Sequence, residues 1–194
     1  MYTDPKRVRA HIPGTVEGWF NVTRLSVDGT DPFSLSRAEI EGRRQAFLGA
    51  KFIAENVPGC SAARMNALAG AVGVRETRRI RGLTVVTEAD LRSGHIFPDA
   101  IGMSAFPIDL HHSGEHVSTI ERLGGDTHRY TIPLGALIPV GVRNALAVGR
   151  GISATHTALS ALRIMSTVML MGQAGGVVAA QASSGDTAIP DVPL

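Results

Sequence analysis

Residues 19–27, Trp-Phe-Asn-Val-Thr-Arg-Leu-Ser-Val, alternate loosely between apolar and polar and are rich in β-branched and aromatic types, which predicts a strand. Asp28-Gly29 and Asp31-Pro32 close it as turn signals. Ser36-x-x-Glu39 has the form of a capping box, and Ile40, Phe47, Ala50 and Ala54 recur at helical spacing, so a helix is expected over 37–56, stopped by Pro58-Gly59. Gly42 inside it implies a close neighbour. Residues 72–86 read as strand, turn and strand. Thr87-x-x-Asp90 then caps a short helix that Gly94 ends.

Farther on, the stretch 96–129 reads as loop, with Pro98, Pro107, several glycines and the histidines His111, His112, His116 and His128. Order returns near Tyr130-Thr131-Ile132, and Ala145-Leu146-Ala147-Val148 is a buried-strand candidate bounded by Gly141 and Gly149. Residues 165–183 are small and apolar around most of a helical circumference, which predicts a long helix buried on several sides. The tail 186–194, with two prolines, is expected to fray. These elements describe an α+β protein with a mixed sheet and a long C-terminal helix.

With 194 residues, 44% hydrophobic and 19% charged, the chain can bury a core and does not have a disordered composition. Gly172, Gln173 and the Gly175-Gly176 pair interrupt the longest apolar run, so no membrane span is expected. Asp4, Lys6, Arg7 and Arg9 have no apolar segment behind them, so the N-terminus does not read as a secretory signal and a cytoplasmic location is expected. The pI of about 9.1 accompanies a net charge of only +2. Its basic residues are nearly all arginine, with lysine only at 6 and 51, and the aromatics are scattered. That is not the basic stripe with stacking platforms that nucleic acid requires. Cys60 stands alone, without a disulfide partner or a thiolate cage.

Val148-Gly149-Arg150-Gly151-Ile152-Ser153-Ala154 has the spacing G-x-G-x-x-A. A dinucleotide fingerprint would open directly into a helix and be followed about 20 residues later by an acidic residue on a second strand. The next acidic residue here is Asp186, in the tail, so that reading fails. Residues 144–180 carry a wider pattern: Asn-Ala-Leu-Ala-Val-Gly-Arg-Gly-Ile-Ser-Ala-Thr-His, then Ala158, Arg163 and Met165, then Met-Gly-Gln-Ala-Gly-Gly-Val-Val-Ala-Ala. Upstream stand Gly18-Trp19-Phe20-Asn21, Arg37-x-Glu39-x-x-Gly42-Arg43, Gly73-Val74-Arg75-Glu76-Thr77-Arg78-Arg79-Ile80, Asp109-x-His111, Ile132-Pro133 and Leu137-Ile138-Pro139. Together they resemble the C-terminal part of the FAD-dependent oxidoreductases of the glutathione-reductase-like and fumarate-reductase-like fold group, over about residues 14–183.

That resemblance implies FAD as cofactor and hydride transfer to or from a small organic substrate. It implies that Gly149, Arg150, Ser153, Thr155, Arg163, Met165, Ser166 and Thr167 bind the cofactor. In the same way it implies catalytic roles for His156, Arg75 and Arg78, and a substrate-facing wall of Asp109 and His111. Residues 1–130 would be the remainder of a substrate domain with flavin-facing segments, 131–185 the C-terminal part of the FAD-binding domain, and 186–194 a tail. The strand–glycine-loop–helix unit with G-x-G-x-x-G, on which the family holds the ADP part of FAD, has no counterpart in this sequence. A longer protein, a separate chain supplying that half, or a non-catalytic partner or truncated remnant that works only in association is therefore an expectation as well. Asp109, His111, His112 and His116 do not lie on a regular element with ligand spacing, so no metal is assigned.

Overall fold

The computed structural model describes residues 18, 20–21, 23–111 and 118–193. The chain divides into two compact units, Met1–Val74 with Ser113–His116, and Arg75–His112 with Val117–Leu194.

In the first unit helix α1 spans Pro32–Asn56. It starts five residues earlier than expected, because Asp31-Pro32 is not a turn. Asp31 is the N-cap, its carboxylate accepting the Phe33 and Ser34 N–H groups at 3.0 Å each, and Pro32 fills the first helical position, where no N–H is needed. Ser36 lies inside the helix and donates to the Pro32 carbonyl, while Glu39 accepts the Val72 N–H at 2.6 Å. The helix ends at Asn56, as the Pro58-Gly59 signal requires. Gly42 has the expected close neighbour: a Cβ there would lie 3.2 Å from Leu25 Cδ1. The strand expected over 19–27 is absent at 20, 21 and 23–27, and residues 19 and 22 lie outside the described residues. Strand propensity measures fit to a paired, half-buried surface, and among the described residues no strand pairs with this segment; the Arg24 N–H goes instead to Gln45 Oε1.

The second unit opens on the segment 75–87, which was expected to hold strands and makes only isolated bridges, Gly82 with Pro139 and Val86 with Ala154. Its backbone groups bond in succession to several segments: Ile80 to Gly151, Leu83 to Ile138, Thr84 to Gly135 and Val86 to Ser153. Partners that change from one bond to the next give no ladder. Helix α2, Glu88–Ser93, forms as predicted, with both halves of the Thr87–Asp90 capping box present and Gly94 left-handed at φ 67°.

Within the stretch expected to be loop, three short strands appear. β1 (Ala100–Ser104) pairs antiparallel with β4 (Tyr130–Pro133), and β2 (Ile108–His111) with β3 (Ser118–Glu121). The α+β class therefore holds, while the parallel part of the expected mixed sheet is confined to the Val86–Ala154 bridge. Residues 145–148 are a correction too. They form no strand: the Ala147 N–H reaches the Leu137 carbonyl at 2.8 Å, but no partner strand follows, and Val148 is 44% exposed.

Helices α3 (His156–Leu162) and α4 (Met165–Ser184) meet at an angle of 89° across Arg163 and Ile164. The core gathers Val86, Leu91, Ile108, Tyr130, Ile132, Leu137, Ile152, Leu159, Leu162 and Met171. α4 has the predicted extent, yet it buries a single stripe, Thr167, Met171, Gly175, Val178 and Ala182, at helical spacings of four or three. Met165, Met169 and Val177 remain exposed, so the expectation of burial on several sides is not met. Nor does the tail fray: Ile189 and Val192 pack with Val178 and Ala182, the Ile189 N–H reaches the Arg143 carbonyl, and Asp191 pairs with Arg143 at 2.6 Å. Among the described residues no single helix is long and apolar enough to cross a membrane.

Candidate functional site

Two groups of chemistry-bearing residues form in the second unit, joined through the α3–α4 corner. The first group is built on Glu76, whose side chain is largely buried. One carboxylate oxygen, Oε1, pairs with Arg79. The other, Oε2, meets His156 Nδ1 at 2.7 Å and lies 4.0 Å from Arg163 Nη1. Arg163 is the residue between α3 and α4, and it also donates from Nη2 to the Asp109 carbonyl on β2 at 3.3 Å. Burial is the main influence pushing the Arg163 pKa down, and the charge of Arg75 adds to it. The carboxylates of Glu76 and Asp109 act in the opposite direction. A cation held in this way has an incentive to share its environment with a further anion.

His156 owes its place to a local motif. Thr155 is the N-cap of α3, its hydroxyl accepting from the Ala158 N–H at 3.3 Å and donating to Glu88 at 2.9 Å. A bond from its own backbone N–H, and then that hydroxyl bond, hold the Glu88 carboxyl below its usual range. His156 is the first helical residue after the cap and is well exposed, so its ring reaches Glu76 on one side and solvent on the other.

The second group lies at the start of α4. Its N-cap, Ile164, has no side chain able to cap, and no acidic residue occupies the first turn. The N–H groups of Met165, Ser166 and Thr167 are thus those that an α-helix leaves without an intrahelical partner. Thr167 itself is buried and its hydroxyl bonds Ser104 at 3.3 Å, which in turn receives the Tyr130 hydroxyl at 3.3 Å. Burial raises the Tyr130 pKa, and the bond to Ser104 partly offsets this. The network fixes the first turn of α4 to β1. Against that turn sits Gly149, left-handed at φ 75°; a Cβ there would meet Val168 Cγ1 at 3.5 Å. Arg150 projects from the same 3₁₀ turn and is exposed, with no ion pair among the described residues.

Of the residues singled out from the sequence, Arg75, Asp109, His156 and Arg163 gather around Glu76, and Gly149 stands at the first turn of α4 with Met165, Ser166 and Thr167. Arg78 is exposed and makes no ion pair among the described residues. Ser153 is buried, its backbone bonded to Ala136 and Val86, so its local task is to pin the crossing segment. His111 ends β2, its side chain is not described, and His112 and His116 lie outside the described residues. Among those described, no group of three metal-ligating side chains exists.

Sequence reading undervalued Glu76. Flanked by arginines, it looks like one member of a surface ion pair; its contact with His156 spans 80 positions and leaves no local trace.

No curated protein and no solved structure matches the chain. One family model does, over residues 3–194, nearly the whole length, and its description agrees with the motifs that run through both groups. The chain belongs to the FAD dependent oxidoreductase family, whose members bind FAD.

Proposed function

We propose that this chain is the C-terminal portion of a flavoprotein of the glutathione-reductase-like and fumarate-reductase-like fold group, moving a hydride between FAD and a small organic substrate. The observation that carries the reading is the pairing of an uncapped helix start with a left-handed glycine: Met165–Thr167 of α4 beside Gly149. Free N–H groups at the positive end of a 20-residue helix stabilise negative charge, and the left-handed turn at Gly149 sets the Gly-Arg segment against that helix end. The donor set therefore fits an anionic flavin edge. On this reading 131–185 is the C-terminal part of the FAD-binding domain, 186–194 its tail, and 1–130 the remainder of the substrate domain.

When bound, FAD supplies the two-electron acceptor or donor. The protein's part is electrostatic. Met165, Ser166 and Thr167 hold developing negative charge through their N–H groups, and Ser153, Thr155 and Arg163 complete the cofactor-binding set. Arg150 meets a phosphate or carboxylate. Arg75 and Arg78 face an anionic substrate, Asp109 and His111 form the wall beside it, and His156 takes or returns the substrate proton.

The exposed apolar residues Met165, Met169 and Val177 on α4 favour the second reading, a chain that works against another protein surface. Titration of FAD into the full chain, wild type and Arg150→Ala, tests the first. Losing a charge-assisted contact should weaken binding about ten- to a hundredfold. Unchanged affinity would remove Arg150 from the site.

A further inference from the structure

We infer that Glu76 is a positioning residue for His156: it selects the ring tautomer with the proton on Nδ1 and leaves Nε2 as the atom that exchanges a proton with substrate. This rests on the proposed role of His156 in proton transfer but makes a separate claim about the ring. Three observations carry it. Glu76 Oε2 lies 2.7 Å from Nδ1, and an ionised carboxylate can only accept, so Nδ1 must be the donor. A cation, Arg79, binds the other oxygen, and Arg163 stands 4.0 Å from the first, so the carboxylate is held in place from two further directions. Finally, the ring is 63% exposed while Glu76 is 19% exposed, so the carboxylate lies on the buried side and the ring reaches past it into solvent.

A free neutral imidazole has no such constraint, and the hydrogen bond at one nitrogen determines the state of the other. In the step that follows, one proton moves from a substrate O–H or N–H to Nε2 and no electrons change hands at the histidine. Nδ1–H stays bonded to Glu76, whose charge balances the imidazolium formed. Reversal returns the proton. His156 sits in the first turn of α3, where the helix dipole opposes a positive ring, and the carboxylate offsets that opposition.

Nitrogen-15 NMR of the full chain labelled at histidine, without flavin, reads the tautomer directly, with the His156 signals assigned by their loss in His156→Gln. In the wild type at a pH where the ring is neutral, Nδ1 should carry the proton and Nε2 should show the shift of a bare nitrogen. Glu76→Ala should return the ring to a mixture dominated by Nε2–H. Arg79→Met, which removes the neighbouring cation but leaves the carboxylate, should keep the wild-type pattern. A wild-type ring protonated mainly at Nε2 would overturn the inference, whether or not Glu76→Ala folds. So would an unchanged tautomer in folded Glu76→Ala. Neither result bears on whether FAD binds, which the Arg150→Ala titration decides separately.

Discussion

Gly149 and Val168 stand face to face across the start of α4: a Cβ on the glycine would lie 3.5 Å from Val168 Cγ1, an ordinary contact. Space is therefore not what demands glycine. Its backbone is, at φ 75°, a conformation that costs other L-residues about 1–2 kcal/mol. Gly149→Ala should lower unfolding stability by about that amount in a denaturant titration. A change within error would mean that the turn relaxes to another conformation.

Gly82 makes the opposite case, where space alone decides. Its Cβ would lie 2.7 Å from Ser153 Cβ and 2.8 Å from the Gly135 carbonyl oxygen, and backbone cannot rotate out of the way. Gly82→Ala should destabilise the second unit by about 1–3 kcal/mol, with loss of the Val86–Ser153 amide protection in hydrogen exchange. Wild-type stability would show that the crossing segments are less tightly pinned than they look.

The Thr87–Asp90 box closes α2 on both sides, the Thr87 N–H reaching Asp90 Oδ2 at 2.8 Å and the Asp90 N–H reaching Thr87 Oγ1 at 3.4 Å. Asp90→Ala leaves the Thr87 amide without its partner and should cost about 1 kcal/mol, measured by thermal or chemical unfolding.

α1 should respond to acid. Hydrogen bonds from Arg44, then Gln45, hold the Glu41 carboxyl down from the ordinary 4.5 to about 2. A depressed carboxyl stabilises the folded form fully above its unfolded pKa and ceases to do so as pH falls through the folded one. Helix content followed by circular dichroism should thus decline between pH 4.5 and 2, and Glu41→Gln should flatten that decline. The pair is exposed, so the effect is small and shrinks with salt. A salt-independent transition at the same pH would assign it elsewhere.

What the sequence discloses follows from the range over which each feature is determined. The Thr87 box, the Gly94 terminator and α4 are set within one or two helical turns, and all three are legible. Strands need partners. Residues 20–21, 23–27 and 145–148 have strand-like side chains but no ladder among the described residues, whereas Ala100–Ser104 pairs with Tyr130–Pro133, about 30 positions away, from a stretch dominated by turn residues. α1 was misplaced at its start because Asp-Pro serves equally as a turn and as a cap with a first helical proline. At the site, the Gly-Arg turn and the small-residue helix carry their part of the family pattern in local sequence. Glu76 did not, because an acidic residue among arginines announces an ion pair long before it announces a histidine 80 residues later.

In the proposed arrangement the start of α4 faces the flavin, and Ser166→Asp isolates that contact. Ser166 is exposed in the first turn, which holds no acidic residue. A carboxylate there suits the helix dipole and should leave stability unchanged or raise it by about 0.3–1 kcal/mol. The same carboxylate would compete for the free N–H groups and repel an anionic ligand. Calorimetric titration of FAD into the full chain should therefore show affinity falling about tenfold in Ser166→Asp, about 1.4 kcal/mol, while the melting temperature holds or rises. Undiminished affinity in a variant that is folded and no less stable would place the flavin away from α4 and contradict the account.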